Sequence, residues 1–146
     1  MPDNLIIHPM QTNETKYIQQ MDRTYAYNWP DQYYIKSLES LDYYAFTAHM
    51  DNLYIGSIFY RIIKDAMFVD KILISKNYRQ WGIGSKLLQT AMLTAQSCGA
   101  KDVTLKVAVD NIDAIVFYSN HGFKIEQIHS DYYAVGEDAF QMQRNI

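Results

Sequence analysis

Three β-rich segments follow one another in the middle of the chain, and short polar turns separate them. They are DYYAFTAHM (42–50), NLYIGSIFYRII (52–63) and AMFVDKILIS (66–75). Aromatic and β-branched residues of this kind favour strands, and connections this short join antiparallel neighbours. We therefore predict an antiparallel meander at the centre of the fold.

The rest of the chain alternates between helical and strand patterns. Residues 102–109 read as a strand, and in the helix that follows Asn111 caps the start and Gly122 supplies the left-handed residue after the end. We predict an α/β fold with one mixed sheet in a single domain, residues 1–146. The other predicted elements are a strand at 4–10, a helix at 12–27, a turn at Pro30, a short helix capped by Asp31, a helix ending near Cys98, and two strands around residues 132–137.

Cys98 lies near the end of the predicted third helix, on its apolar side. The apolar residues of that helix recur at steps of three and four, which is typical of a face packed against a core. We therefore expect Cys98 to be a buried small hydrophobic residue, and a single cysteine excludes an internal disulfide. The predicted apolar stripe is Ile83, Leu87, Leu88, Ala91, Met92, Ala95 and Cys98.

Composition and charge argue against several classes of protein. The net charge is −3 and the basic residues are scattered, which does not favour nucleic acid as a partner. No run approaches the roughly 20 apolar residues of a membrane span, and the N-terminus lacks the features of a signal peptide, so we expect a cytoplasmic protein without a membrane partner. The four histidines, at 8, 49, 121 and 129, show no pairing with cysteine or carboxylate at ligand spacing, and we predict no metal site.

Two glycines stand one residue apart in RQWGIG (79–84), after the last strand of the meander and at the start of a helix. Glycine weakens a helix by about 0.5–1 kcal/mol relative to alanine, so the pair indicates a close approach to the backbone. The N–H groups at such a helix start can bind a phosphate. The spacing matches neither a dinucleotide-binding fold nor a P-loop, and a tight turn would use the same glycines.

The same residues resemble the signature of the GNAT superfamily of N-acetyltransferases. RQWGIG is similar to its R/Q-x-x-G-x-G/A motif, and NIDAIVFYSNHGF (111–123) is similar to its N-x-x-A-x-x-F/L-Y-x-x-x-G-F segment. The C-terminal YYAVGEDAFQM (132–142) resembles the tail of protein N-terminal acetyltransferases, both archaeal and eukaryotic catalytic subunits and the bacterial ribosomal-protein alanine acetyltransferase. The resemblance covers nearly the whole chain.

The resemblance implies a mostly antiparallel sheet with a V-shaped split, flanked by about four helices, in which acetyl-CoA inserts beside the strand KILIS (71–75). It implies that backbone groups of this strand bond the pantetheine arm and that the glycine turn holds the pyrophosphate. No metal takes part. The implied cofactor-binding residues are Ile72, Leu73, Ile74, Arg79, Gln80, Trp81, Gly82, Ile83, Gly84, Ser85, Asn111 and Tyr118.

The implied reaction transfers the acetyl group to the α-amino group of a protein or peptide N-terminus. An α-amino group has an ordinary pKa near 8, so a modest fall on desolvation leaves it neutral. Tyr118 is placed beside the thioester sulfur as the general acid, although an aromatic on an amphipathic helix is also a common core residue. The implied substrate-binding residues are Trp29, Pro30, Tyr33, Asp70, Tyr132 and Tyr133.

The catalytic base is where this sequence departs from the family pattern. Relatives often carry Glu or His at the position of Lys106, and others carry His or Tyr at the position of Phe68. A lysine at an ordinary pKa cannot accept the proton. WPDQYY (29–34) resembles a PENY segment and places Asp31 beside the amine as the base, but a helix cap is an equally natural role for it. Asp70 is a second candidate carboxylate, with two alternative roles. It either reaches the cleft or is simply one polar residue of a strand in which polar and apolar residues alternate.

Two alternatives to an N-terminal acetyltransferase remain at this point. An acetyltransferase for a small-molecule amine explains the cofactor motifs but leaves YYAVGEDAF unexplained. A non-catalytic acyl-CoA-binding homologue explains Lys106 but gives no reason for Tyr118. An auxiliary subunit or the ribosome is a further partner that such motifs allow.

Overall fold

The structure is a computed structural model that describes residues 4–24 and 27–146. The strands are β1 (Leu5–Pro9), β2 (Tyr43–Met50), β3 (Leu53–Ile63), β4 (Ala66–Ile74), β5 (Asp102–Ala108), β6 (Lys124–Ala134) and β7 (Glu137–Asn145). The α-helices are α1 (Thr15–Asp22), α2 (Asp31–Glu39), α3 (Ile83–Ser97) and α4 (Ile112–Asn120), and two short 3-10 turns lie at Thr12–Glu14 and Lys76–Tyr78. None of the helices in these ranges is long and apolar enough to cross a membrane.

The strands form a seven-stranded sheet in the order β1-β2-β3-β4-β5-β7-β6. β2, β3 and β4 pair antiparallel in sequence order, which confirms the predicted meander. β4 and β5 are the parallel neighbours, because the chain between them crosses over through α3. The predicted α/β fold with a mostly antiparallel sheet and four helices is confirmed.

Each face of the sheet carries its own hydrophobic cluster, because successive strand residues point to opposite faces. In β3, Ile58 and Tyr60 belong to the cluster beneath α3, whereas Phe59 belongs to the cluster covered by α1 and α2. The predicted stripe of α3 is buried as expected from Ile83 to Ala95. Helices thus cover both faces of β4, with Val69 in the cluster beneath α3 and Leu73 in the cluster covered by α1 and α2.

Three local predictions need correction. Helix α1 is shorter than the predicted helix over 12–27, since Thr12–Glu14 form a 3-10 turn and the α-helix ends at Asp22; residues 25–26 lie outside the described part of the chain. Asp31 is the first residue of α2, and Pro30 holds the cap position. Cys98 is exposed, because α3 ends at Ser97 and position 98 no longer follows the helical stripe.

Candidate active site

β4 and β5 separate part-way along their length. Their ladder runs from the Ala66–Asp102 pair to the Val69–Leu105 pair and stops there, although β4 continues to Ile74 and β5 to Ala108. The divergence confirms the predicted V-shaped split. Beyond it, β4 stays paired to β3 along its other edge, so its remaining backbone groups on the β5 side face the opening.

A β-bulge lies at the point where the strands part. Tyr60 of β3 pairs with Val69, and the preceding Phe59 pairs with Lys71, so Asp70 is the extra residue of β4. Bulges bend a strand and increase its local twist. The bulge at Asp70 therefore turns the end of β4 away from β5 and interrupts the alternation of its side chains.

The split opens into a cavity of about 830 Å³. Its walls come from β4 and β5, from the start of α4, from the segment between α1 and α2, and from the β6–β7 hairpin. The lining residues are Tyr27, Asn28, Trp29, Arg61, Phe68, Val69, Asp70, Lys71, Ile72, Leu73, Thr104, Leu105, Lys106, Val107, Ala108, Asp110, Asn111, Ala114, Tyr118, Tyr132 and Tyr133.

The glycine turn precedes α3 and contains two residues with left-handed backbone. Gln80 has φ 66° and Gly82, which caps the helix, has φ 80°. Glycine adopts this conformation without strain, and with no side chain at the cap the first N–H groups of α3 stay available to an anion. Arg79 ties the turn to the end of β4, since its Nε donates to the Ile74 carbonyl at 3.4 Å.

Gly84 lies against α4 and the end of β4. A Cβ at this position would lie 3.4 Å from two ring atoms of Phe117 and 3.8 Å from the Ile74 side chain, which is ordinary van der Waals contact. An alanine would therefore fit here, whereas a larger side chain would meet the Phe117 ring. In the same turn the Trp81 side chain is about half exposed and packs edge-on against Tyr78, while Ile83 is buried in the core.

Helix α4 brings Asn111 and Tyr118 to the cavity. The Asn111 side chain accepts the N–H of Ala114 at 3.2 Å and so caps α4, as predicted. Tyr118 is 7% exposed and packs against Phe117 and Phe123. Burial raises the pKa of Tyr118 above the ordinary phenol value, and the Tyr133 hydroxyl raises it further, so the phenol is protonated at neutral pH.

The β6–β7 hairpin supplies an aromatic wall. Tyr133 stacks on Tyr27 at 4.0 Å between ring centroids, and Lys106 lies over the Tyr132 ring at 5.5 Å. Desolvation, followed by the neighbouring Tyr132 and Tyr27, raises the pKa of Tyr133 to about 12. Desolvation and then the Glu137 carboxylate raise the pKa of Tyr27.

A buried ion pair fixes the segment between α1 and α2. Lys71 donates to Asp22 at 3.1 Å and to the Tyr27 carbonyl at 2.7 Å. The Asp22 carboxylate, which is 1% exposed, also accepts the Trp29 N–H at 2.9 Å and the Tyr34 hydroxyl. A strand residue at the split thus sets the position of the loop across the cavity.

The predicted carboxylates are both engaged in ion pairs. Asp70 accepts two hydrogen bonds from Arg61, at 2.8 and 3.0 Å, within the cavity wall. Asp31 pairs with Arg23 and is not among the lining residues, and neither are Pro30 and Tyr33. The Tyr33 hydroxyl instead shares a hydrogen bond of 2.8 Å with that of Tyr43.

Sequence reasoning missed Tyr27, Lys71 and Asp110, which line the cavity, and Glu137, which acts on Tyr27 without lining it. Lys71 and Asp22 are 49 positions apart, and no spacing rule connects them. Glu137 lies within the C-terminal motif, and Asp110 directly precedes Asn111, so proximity to quoted motifs was a signal for these two.

Comparison with known proteins identifies the family. The model of the Acetyltransferase (GNAT) family matches residues 14–123, which is most of the chain. The chain belongs to this family. An N-alpha-acetyltransferase of Sulfurisphaera tokodaii is 33% identical over 129 residues, covering 79% of this chain and 77% of the relative. The predicted resemblance to GNAT and N-alpha-acetyltransferases is thereby confirmed.

Solved structures agree on the fold. Ard1 from Thermoplasma volcanium has a TM-score of 0.90 with 17% identity, covering 98% of both chains. Naa50 of Arabidopsis thaliana, solved in complex with the bisubstrate analogue CoA-Ac-MVNAL, has a TM-score of 0.84 with 19% identity, covering 98% of this chain and 99% of that one. At these identities the likeness establishes the GNAT fold, and solved GNAT structures include complexes with coenzyme A derivatives.

Proposed function

We propose that this chain transfers the acetyl group of acetyl-CoA to the α-amino group of a protein or peptide N-terminus. The observation that carries the proposal is one cavity at the β4–β5 split whose walls combine the unpaired edge of β4, Tyr118 of α4 and the aromatic side chains of the hairpin. Family membership and the N-alpha-acetyltransferase relative support the acetyl-transfer chemistry.

The residues present fit acetyl-CoA, which supplies an activated acetyl thioester. The edge of β4 at Ile72–Ile74 faces the opening without a partner strand, so its backbone groups suit the amides of a pantetheine arm. The start of α3, from Gly82 to Ser85, suits the pyrophosphate, because its first N–H groups and helix dipole favour an anion. Gln80 and Arg79 shape this turn, and Asn111 caps the start of α4 in the cavity wall.

Tyr118 acts on the leaving sulfur. The amine nitrogen attacks the thioester carbon, a C–N bond forms, the C–S bond breaks, and the thiolate leaves. An ordinary thiol has a pKa of about 8.5, so complete proton transfer from a phenol whose pKa is raised runs uphill. Tyr118 therefore donates a hydrogen bond that stabilises the developing thiolate, and water completes its protonation.

The peptide enters between Trp29 and the hairpin residues Tyr132 and Tyr133. Asp110 lines the cavity close enough to Tyr27 to act on its pKa, and its carboxylate can attract a positively charged N-terminus there. Asp31 stays a prediction as the base. Asp110 lines the cavity itself, and the ion pairs of the described residues do not involve it, so it is the better-placed acceptor for the amine proton through one water.

We propose that the reaction takes place in the cytoplasm. The single cysteine is free and exposed, and free thiols are typical of proteins in reducing compartments. An auxiliary subunit or the ribosome would present nascent chains to the open hairpin side. Neither is needed for the chemistry of the cavity.

The test is mass spectrometry of a peptide library incubated with the purified chain and acetyl-CoA. The proposal expects a mass increase on the α-amino group of a subset of N-termini and none on internal lysines. Acetylation of polyamines or other small amines alone, or no product at all, would contradict it.

A further inference from the structure

Two histidines and a glutamate meet on the outer edge of the sheet, away from the cavity. His8 lies on β1, His49 lies on the neighbouring β2, and Glu14 ends the 3-10 turn that leads into α1. In the antiparallel β1–β2 ladder, His8 faces Thr47 and His49 faces Ile6, so the two histidines are diagonal neighbours on one face. The fold joins residues that are 35 positions apart in sequence.

The donor atoms of the three side chains are close to metal-binding distance. The Glu14 Oε2 atom lies 3.0 Å from His49 Nε2 and 3.5 Å from His8 Nε2, and one ligand atom from each residue falls within 4.8 Å of the others. A tetrahedral zinc ion with bonds of about 2.0–2.1 Å places its ligand atoms about 3.3 Å apart. The two distances to Glu14 Oε2 bracket this spacing, and the two imidazoles lie side by side with centroids 5.1 Å apart.

Neighbouring backbone groups orient two of the three ligands. His8 Nδ1 lies 2.9 Å from the Pro9 carbonyl, which only accepts, so Nδ1 carries the hydrogen and the Nε2 lone pair points toward Glu14. Glu14 Oε1 accepts the Gln11 N–H at 2.8 Å, which leaves Oε2 for the histidines. A hydrogen bond on the far side of each ligand is typical of built metal sites.

The geometry points to a divalent metal site, with Zn²⁺ as the cation that best fits two imidazole nitrogens and one carboxylate oxygen. The three residues line a cavity of about 420 Å³, with room for a water as the fourth ligand. Lys16 and Tyr17 also line it, and the Lys16 ammonium lies over the Tyr17 ring at 5.1 Å. From the sequence we predicted no metal site, since the histidines show no pairing with other ligands at ligand spacing. The spacing gave no signal because the three residues approach one another only in the folded chain.

A bound ion would fasten the start of α1 to β1 and β2. It is independent of acetyl transfer, because none of its ligands lines the cavity at the β4–β5 split. Its expected effects are therefore on metal affinity and thermal stability, not on the chemistry of the transfer.

The test uses the full chain without a polyhistidine tag, stripped with a chelator and titrated with ZnCl₂ by calorimetry. We expect one site per chain and a rise in Tm with zinc. Co²⁺ bound to the same site should give visible absorption bands that Zn²⁺ removes.

Three variants and a control identify the ligands. His8→Gln, His49→Gln and Glu14→Gln should each weaken zinc binding by about 100-fold or more, since loss of a ligand exceeds the 10–100-fold effect of an outer-shell change. Glu14→Gln keeps an oxygen for the Gln11 N–H, so it separates ligation from folding. His121→Gln removes a histidine that bonds the Phe117 carbonyl, and it should bind zinc like the wild type. Absence of binding by the wild type, or equal binding by the wild type and His49→Gln, would overturn the site.

Discussion

The ring of Tyr27 lies flat on the ring of Tyr133, with 4.0 Å between centroids and 13° between planes. The first belongs to the segment between α1 and α2, and the second belongs to the β6–β7 hairpin. Two distant parts of the chain therefore meet across the peptide end of the cavity.

Removing one ring of this pair should affect the peptide more than the coenzyme. Tyr27→Ala should raise the peptide KM while the Kd for acetyl-CoA stays near the wild-type value, because the Tyr27 ring packs on the hairpin and the contact of Tyr27 with Lys71 of β4 is made by its backbone carbonyl, which alanine keeps. Steady-state kinetics and calorimetry measure the two quantities. Tyr17→Ala is the matched control, since Tyr17 stacks on Tyr54 in a similar way but does not line the cavity. Equal effects of the two substitutions would mean that the stack has no part in substrate binding.

Tyr118→Phe should lower kcat by about 10²-fold, because it removes the donor to the leaving sulfur. The ring packing against Phe117 and Phe123 is kept, so Tm and acetyl-CoA affinity should change little. Since the pKa of Tyr118 is raised, the wild-type rate should show no loss attributable to this phenol below about pH 10. A variant as fast as the wild type would remove Tyr118 from the reaction.

Gly82→Ala should weaken acetyl-CoA binding through the backbone of the turn. Gly82 has φ 80° at the cap of α3, and a side chain in that region costs about 1–2 kcal/mol. Gly99→Ala imposes a similar cost at the other end of the same helix, where φ is 95° and the added Cβ meets nothing within 4 Å. Calorimetry should show reduced affinity for the first variant alone. This pair avoids Gly84, where a larger residue would also clash with Phe117.

The free energy of unfolding should fall as the pH rises from 10 to about 12. The pKa of Tyr133 is raised to about 12 in the folded chain, so the folded state holds the phenol proton after the unfolded state has lost it. Stability from this group is present below pH 10 and declines through the folded value. Urea unfolding across this window should show a weaker decline in Tyr133→Phe; an identical slope would assign the alkaline loss to other tyrosines.

Asp110→Asn should lower kcat/KM more than Asp31→Asn. Asp110 lines the cavity, whereas Asp31 pairs with Arg23 outside it. Both substitutions remove one charge at similar size, so each controls for the other. The measurement is the pH dependence of kcat/KM on one peptide, with the peptide amine titrated separately, since its ordinary pKa near 8 contributes a similar limb. A larger loss for Asp31→Asn would restore the original prediction.

Local sequence signals predicted those elements whose structure depends on neighbouring residues in the chain. The meander followed from β-rich segments with short turns, and the ends of α4 followed from Asn111 and Gly122, whose φ is 85°. Periodicity failed at Cys98, because a helical pattern does not show where the last turn ends. The bulge at Asp70 also has no signal of its own, since an extra residue in FVDKIL reads as continuous strand.

The site was predictable only where a motif carries it. Asn111, Tyr118 and the two hairpin tyrosines lie in quoted motifs and line the cavity. Other parts of the structure depend on contacts between segments that are distant in sequence, and no residue spacing predicts such contacts. They are Tyr27, Lys71 and the cluster of His8, Glu14 and His49.

The Lys71–Asp22 pair also limits how this chain can change over evolutionary time. Replacing either partner alone leaves a buried charge unpaired, at a cost of about 3–5 kcal/mol, whereas replacing both with apolar residues is often close to neutral. A change to two apolar residues therefore has to pass through a single substitution with an unpaired buried charge. That loss of stability would unfold many domains. Variation at position 71 should accompany variation at position 22, and a lineage that lost both would be free to build a different loop over the peptide end of the cavity.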